Sequence, residues 1–388
     1  MINMKVRLAV ILALAACFTL CSANQHDPVD LRQSVPESNL TAGPITIDPG
    51  NQQQLDGLTG KLAENRAIFI GEVHDRLDHH QNQLRIIKNL YARYPDLAIG
   101  VEHFQQPFQS YLDDYIAGRI DEREMLRKTE YFKRWTLDYR LIQPIIAYAR
   151  EKHIPVLALN VSDEIHNKVF KGGMKSLDSL ELAQIPDDIL PASAHYLQRL
   201  KSIYSSHPPS NSFDTFVEGV LLWDEYMAEH AANYLRSHPK SRMVVLAGMV
   251  HVMYGDGIPE RLNRRLGSDQ STVLINGINF SNYPGVADYQ LLTENYLALP
   301  PTGKLGVSII DSSGGVRISE FTADSAAKAA GLAVGDRIVV IDGVKVENIS
   351  DLKLMMFDRR SGERVQVMVQ RDPTADSPRE LQFPVVLR

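Results

Sequence analysis

Four apolar runs stand out along the chain: Ala67 to Ile70, Leu97 to Val101, Pro155 to Leu159 and Met243 to Ala247. None alternates polar with apolar, so each predicts a strand covered on both faces, as in a parallel sheet between helices. A final strand is predicted over Ser271 to Ile278. Helical spacing fills the gaps. His79 to Arg93 carries Leu84, Ile87, Leu90 and Tyr91 on one side, and a second helix is predicted over Tyr139 to Lys152. From Ser212 to Leu235, Phe213, Phe216, Val217, Val220, Met227, Ala231 and Tyr234 form one stripe. Strand and helix in alternation predict an α/β fold, with a parallel-sheet core and helices on both faces.

The polar residues gather where the strands end. The first strand runs into Gly71-Glu72-Val73-His74-Asp75, the second into Glu102-His103, the third into Asn160 and the fourth into Gly248-Met249-Val250-His251. Parallel sheets bind ligands outside the carboxyl ends of their strands. Glu72, His74, Glu102, His103 and His251 are therefore expected around one shared cavity. Each alone could be a satisfied structural residue, but a carboxylate buried at a strand end costs several kcal/mol unless paired or metal-bound. The two Gly-x-x-His turns are expected to use glycine for a tight backbone turn. Asp224 falls on the apolar stripe of its helix, which leaves two readings: a charge paired in the core, or one aimed at the site. His79 and His80 open a helix and are expected to be solvated or capping. His153, His195, His207, His230 and His238 have no comparable context.

The net charge of -6 gives no sign of an electrostatic nucleic-acid binder. Both cysteines, Cys17 and Cys21, stand near the start, so the body of the chain has neither an internal disulfide nor a Cys-ligated metal site. Met4-Lys5-Val6-Arg7 followed by the apolar stretch Leu8 to Ala16 predicts a secretory signal. Leu14-Ala15-Ala16-Cys17 resembles the bacterial lipobox, which implies lipidation at Cys17. Cys21, preceded by Leu20, matches less well. The polar stretch Ser22 to Asn51 reads as a tether that stands the domains off a membrane.

The blocks Gly71-Glu72-Val73-His74-Asp75, Gly100-Val101-Glu102-His103-Phe104, Asp224-Glu225-Tyr226-Met227-Ala228 and Gly248-Met249-Val250-His251-Val252, with Gly257-Ile258-Pro259, resemble the ChaN-type haem-binding lipoproteins in order and spacing. That family belongs to the Tiki superfamily with the TraB proteins and the erythromycin esterases. The resemblance covers about residues 55 to 280. It implies an α/β core with a helical lid, and a lipid-anchored protein of the cell envelope, on the outer membrane facing the periplasm, that binds haem and serves iron uptake. It also implies haem held through a Tyr at a homodimer interface where two haems stack. The candidate haem-site residues are His74, Glu102, His103, Asp224, His251 and Tyr254, with Tyr226 and Tyr131 as further tyrosines and Tyr131 placed in the lid region. The enzyme branch of the superfamily implies a second use, in which Glu72, His74, Glu102 and His251 carry hydrolysis with a metal ion or with a His as general base.

The stretch from Leu305 to Arg388 is a separate unit. Ser325 to Leu332, then Val334-Gly335-Asp336-Arg337-Ile338-Val339-Val340-Ile341-Asp342-Gly343, resembles bacterial PDZ domains of the envelope-protease type. Gly331 is expected to end a short helix and Asp342-Gly343 to turn a hairpin. PDZ domains receive peptide C-termini on a sheet edge beside a helix. The matching loop is Leu305-Gly306-Val307, with the groove helix beginning near Asp351. The expected organisation is a signal over residues 1–16, a tether over 17–51, a ChaN-like α/β domain over 52–282, a linker over 283–302 and a mostly-β PDZ domain over 303–388. Three functions remain open at this point: haem binding, hydrolysis, and a PDZ adaptor with an inert first domain.

Overall fold

The computed structural model describes residues 55–206, 211–276, 285–291, 299–371 and 379–388. The expected signal, Cys17, the tether and residues 283–284 and 292–298 of the expected linker lie outside the described residues. The chain divides into two units, one of Met1–Ile120 with Leu141–Ala298 and one of Asp121–Arg140 with Leu299–Arg388.

In chain order the first unit contains α1 (Leu55–Leu62), β1 (Ala67–Glu72), α2 (Leu77–Arg93), β2 (Leu97–Gln105) and α3 (Gln109–Ile116). The inserted residues 121–140 contribute α4 (Glu122–Lys128) and α5 (Tyr131–Arg134) to the second unit. The first unit resumes with α6 (Gln143–Lys152), β3 (Val156–Asn160), α7 (Asp163–Gly172), α8 (Ser179–Leu182), α9 (Ala194–Ser205) and α10 (Phe213–Ser237). It ends with β4 (Arg242–Gly248), α11 (Ile258–Leu266), β5 (Ser271–Asn276) and β6 (Tyr289–Leu291).

The six strands form one sheet in the order β3-β2-β4-β1-β5-β6, and every pairing is parallel. All residues of β1 and β2 are buried, which is why their sequences do not alternate. Ala67 and Phe69 of β1, with Met243, Val245 and Ala247 of β4, pack against Met227, Ala231 and Leu235 of α10 and Ile258 and Leu262 of α11. The period of two places Ile68 and Ile70 on the other face. α10 is capped by Ser212, whose side chain accepts from Thr215 N.

The second unit continues with β7 (Val307–Ser312), β8 (Gly315–Phe321), α12 (Ala326–Ala329), β9 (Arg337–Ile341), β10 (Val344–Lys345), α13 (Ile349–Met356), β11 (Arg364–Arg371) and β12 (Arg379–Val386). Its antiparallel sheet runs β12-β11-β9-β8-β7, leaving β7 at an edge. Gly331 has φ +99°, and Asp342 and Gly343 have φ +48° and +80° between β9 and β10. Positive φ at both central residues is the twist-matched hairpin turn. Leu352 and Met355 of α13 enter the core of this sheet. Leu354 and Phe357 are buried elsewhere. Arg123 donates to Leu354 O at 2.7 Å, and the Phe357 ring meets Phe132 at 5.6 Å and Tyr139 at 5.8 Å. The α4–α5 insertion is therefore packed on the outer side of α13. Tyr131, expected in the lid, lies 1% exposed within this insertion, edge-on to Tyr139.

Candidate functional site

The parallel order β2-β4-β1 brings three strand ends together on one edge of the sheet, with Glu72 in register with Gly248. Glu72 is fully buried at the end of β1 and is the hub of the cluster. Its Oε1 receives His74 Nδ1 at 2.8 Å and lies 3.2 Å from His103 Nε2, while its Oε2 accepts from Gln83 Nε2 at 2.5 Å. Glu102 Oε2 accepts from Gly248 N at 2.7 Å. Its Oε1 lies 3.9 Å from His74 Nε2 and 4.0 Å from His251 Nε2. His251 Nδ1 faces Asp224 Oδ1 at 2.7 Å, and Tyr196 donates its hydroxyl to Asp224 Oδ2 at 2.5 Å. Glu72, His74, Glu102, His103, Asp224 and His251 thus form one continuous constellation. Asp224 meets both readings left open for it, being paired in the core and aimed at His251.

Glycine serves this site through size rather than through turn geometry. Gly248 has φ -54°, open to any residue, but a Cβ there would stand 2.9 Å from His74 Nε2. Gly257 does need its freedom. It has φ +68°, and a Cβ would sit 2.4 Å from the His251 carbonyl oxygen.

The charges follow from the contacts. Burial alone would raise the Glu72 carboxyl, but the imidazoles of His80 and His103 hold it well below the usual carboxylate range. Burial works against a charged His74, yet Glu102 and Glu72 push it up to about 9. His251 is raised too, as burial is outweighed by Asp224 and Glu102. Burial and the adjacent Asp224 carry the Tyr196 hydroxyl well above its ordinary value, so it stays a neutral donor. His74 is the half-open member of the cluster, with 14% of its side chain exposed.

Two expectations are corrected here. His79 and His80 are neither solvated nor capping. His79 is fully buried and its Nδ1 accepts from Val73 N at 3.0 Å. His80, 2% exposed, holds the His74 carbonyl at 3.0 Å and Gln83 Oε1 at 3.0 Å. Helical spacing carries the signal, because His79, Gln83, Ile86 and Leu90 fall on one buried stripe of α2. His195 also has a context: its Nδ1 lies 3.2 Å from Asp256 Oδ2 and its ring is edge-on to Tyr254 at 4.6 Å.

Tyr254 lies three residues beyond His251 in the left-handed region, at φ +63°, which is unusual for a bulky side chain. The Arg199 guanidinium faces its ring at 5.3 Å. Tyr226, by contrast, is 4% exposed and stacked on His230 at 4.3 Å. Glu72, His74 and His103 offer donor atoms that all lie within 4.8 Å of one another, a nitrogen and oxygen set suited to a divalent metal.

A family model described as haem-binding uptake, Tiki superfamily, ChaN matches residues 58–262. The chain belongs to the ChaN haem-binding uptake family. A PDZ-domain model matches residues 297–370, so this ChaN-family chain also carries a PDZ domain. Among solved structures it is similar to ChaN of Campylobacter jejuni, described as binding haem cofacially, at 17% identity over 61% of this chain and 90% of that one, with a TM-score of 0.49. It is similar to an open-conformation mutant of the erythromycin esterase EreC at 14% identity, over 60% of this chain and 74% of that one, with a TM-score of 0.36. Its last part is similar to the HtrA-type protease AlgW with a decapeptide at 22% identity, over 22% of this chain and 30% of that one, with a TM-score of 0.20. No curated protein matches the chain.

In the PDZ domain, Leu305, Gly306 and Val307 stand where β7 begins, and β7 is an edge strand of the sheet among the described residues. α13 starts at Ile349, whose N–H donates to Asp311 of β7 at 2.8 Å, so strand edge and helix lie side by side.

Proposed function

We propose that this chain is a lipid-anchored envelope protein that binds haem for iron acquisition, through the site above, and docks peptide C-termini of envelope partners on its PDZ domain. Membership of the ChaN family is the observation that carries the reading. The residues fit the ligand. Tyr254, half-buried, is held between Arg199 and His195, and a phenol oxygen in a cationic setting suits ferric iron. When bound, haem would supply a ferric iron, and Tyr254 would be the residue to hold it. The reading extends to a lipid at Cys17, an outer-membrane location facing the periplasm, and a homodimer that pairs two haems.

Hemin titration of the full chain, with Tyr254→Phe beside it, tests the proposal. Saturable binding with a Soret band that shifts in Tyr254→Phe is the expected result. Absence of binding at micromolar hemin would remove the reading.

The triad of Glu72, His74 and His103 favours a second reading, a hydrolase. These three would hold a divalent ion that polarises a carbonyl or lowers the pKa of water. His251, oriented by Asp224, and Glu102 would move protons beside it. Metal analysis of the purified chain decides this version: no bound metal, and no effect of a chelator on any hydrolysis, would argue against it.

A further inference from the structure

Arg199 of α9 is 1% exposed. Its Nη1 donates to Asp256 Oδ2 at 2.8 Å, and its guanidinium lies over the rings of Tyr196 at 4.5 Å and Tyr254 at 5.3 Å. Neither Nε nor Nη2 has a hydrogen-bond partner among the described residues. Buried donors left unmet cost free energy, and in a native protein such a group asks for an occupant. These two atoms are not an arbitrary pair. The Nε–H and one Nη2–H point the same way and form the side-on fork that matches the two oxygens of a carboxylate. Asp256 cannot satisfy the cation alone, since its Oδ2 also faces His195 Nδ1. Arg261 makes the contrast. It is fully buried too and its Nε is likewise unmet, but both its terminal nitrogens donate to carbonyls, those of Gly257 and Leu190, whereas Arg199 leaves Nη2 unmet beside Nε.

The fork adjoins the candidate site on two sides. Tyr196, one turn earlier on α9, holds the Asp224 that orients His251, and Tyr254 lies against the guanidinium itself. We propose that the Nε–Nη2 edge of Arg199 receives a carboxylate of the bound ligand, a haem propionate on the reading above, on which this inference rests. The fork is closed to solvent in the structure described, so a carboxylate reaches it only when the groups around it give way.

The test compares hemin with hemin dimethyl ester, whose propionates are blocked, in titrations of the full chain and of Arg199→Lys. Lysine keeps the charge and loses the fork. The wild-type chain is expected to prefer hemin by about tenfold or more, as a bidentate ionic contact allows, and Arg199→Lys to bring that ratio close to one. Equal affinity of the wild-type chain for both porphyrins would overturn the assignment, as would an unchanged ratio in the variant. A variant that does not fold leaves the wild-type comparison to decide. Should the wild-type chain bind no hemin, the haem reading is lost, and succinate then decides the fork alone. A rise in the melting temperature of the wild-type chain with succinate supports a carboxylate site, and no rise overturns it.

Discussion

His251 and Asp224 face each other at 2.7 Å, although one follows the end of β4 and the other lies in the middle of α10. Both are buried, and Asp224 also receives the Tyr196 hydroxyl, so three elements meet on one carboxylate. Because Nδ1 is committed to Asp224, Nε2 is the nitrogen that faces Glu102. Removing the carboxylate leaves two buried polar groups unmet. Asp224→Ala is expected to cost about 3 kcal/mol of stability, and Asp224→Asn, which keeps an acceptor oxygen, less. Urea unfolding measures both, and a cost below about 1 kcal/mol for the alanine variant would show that the carboxylate is dispensable.

Gly248 separates stability from function. Its backbone suits any residue, but an added methyl would press on His74 Nε2 at 2.9 Å and lie 3.6 Å from Glu102 Oε2. The His74 ring must give by a few tenths of an ångström, and its Nδ1 can stay on Glu72 while its Nε2 side moves. Gly248→Ala is therefore expected to keep its stability within about 1 kcal/mol of wild type. Its affinity for hemin or a divalent metal is expected to fall about tenfold, since displaced ligating or orienting groups typically cost that much. Paired titration and unfolding of the one variant is the measurement; binding at wild-type strength would place His74 outside the ligand's reach.

The sheet and the site were legible in different ways. Non-alternating runs such as Ala67 to Ile70 announce a doubly covered parallel sheet, and its strand ends point to Glu72, Glu102 and His251 because parallel topology aligns those ends. Asp224 showed itself as a charge on an apolar stripe. His79 and His80 passed as surface residues because they open a helix, although the same stripe test, carried to Gln83 and Leu90, places them inside. Arg199, His195 and Asp256 left no signal, since they meet through tertiary packing of α9 against the loop after His251 and no local period links them. The side-by-side packing of α4–α5 on α13 was equally hidden. An amphipathic helix declares that it has a partner face without naming the partner.

His166 sets an acid limit on stability. It is stacked on Trp223 at 4.1 Å, lies near Phe170 and has a backbone hydrogen bond with Gly219. Burial first, and then the charge of His251, bring it down to about 3. The unfolded chain takes up this proton near pH 6.5, well before the folded chain does. Its contribution is thus fully present above pH 6.5 and is lost as pH falls towards 3, by roughly 3 kcal/mol at pH 4. His166→Phe preserves the stacking and removes the proton site. Its stability should fall less steeply between pH 6.5 and pH 4 than that of the wild-type chain. Identical slopes in a urea series across that range would assign the acid sensitivity to other groups, of which His79, brought down to about 4 by burial, is the nearest in kind.

Phe357 joins the insertion to the PDZ helix, and its removal shows what the contact is worth. The ring is 7% exposed and meets Phe132, Tyr139 and the Arg123 guanidinium, while Arg123 also pairs with Asp358 at 2.7 Å. The two kinds of contact differ in strength. The ion pair is more than a third exposed on both sides, so Asp358→Ala, which removes that pair and leaves Arg123 on Leu354 and Phe357, is expected to cost no more than about 1 kcal/mol. The aromatic contact is dry, and Phe357→Ala opens a cavity worth about 3 kcal/mol. The loss should appear locally, as faster proteolysis within Asp121–Arg140 in the full chain, because that segment would then lack the ring it packs on. Limited proteolysis read by mass spectrometry resolves the site of cleavage. Unchanged cleavage of Asp121–Arg140 in Phe357→Ala would mean that the insertion is held by its chain ends rather than by α13.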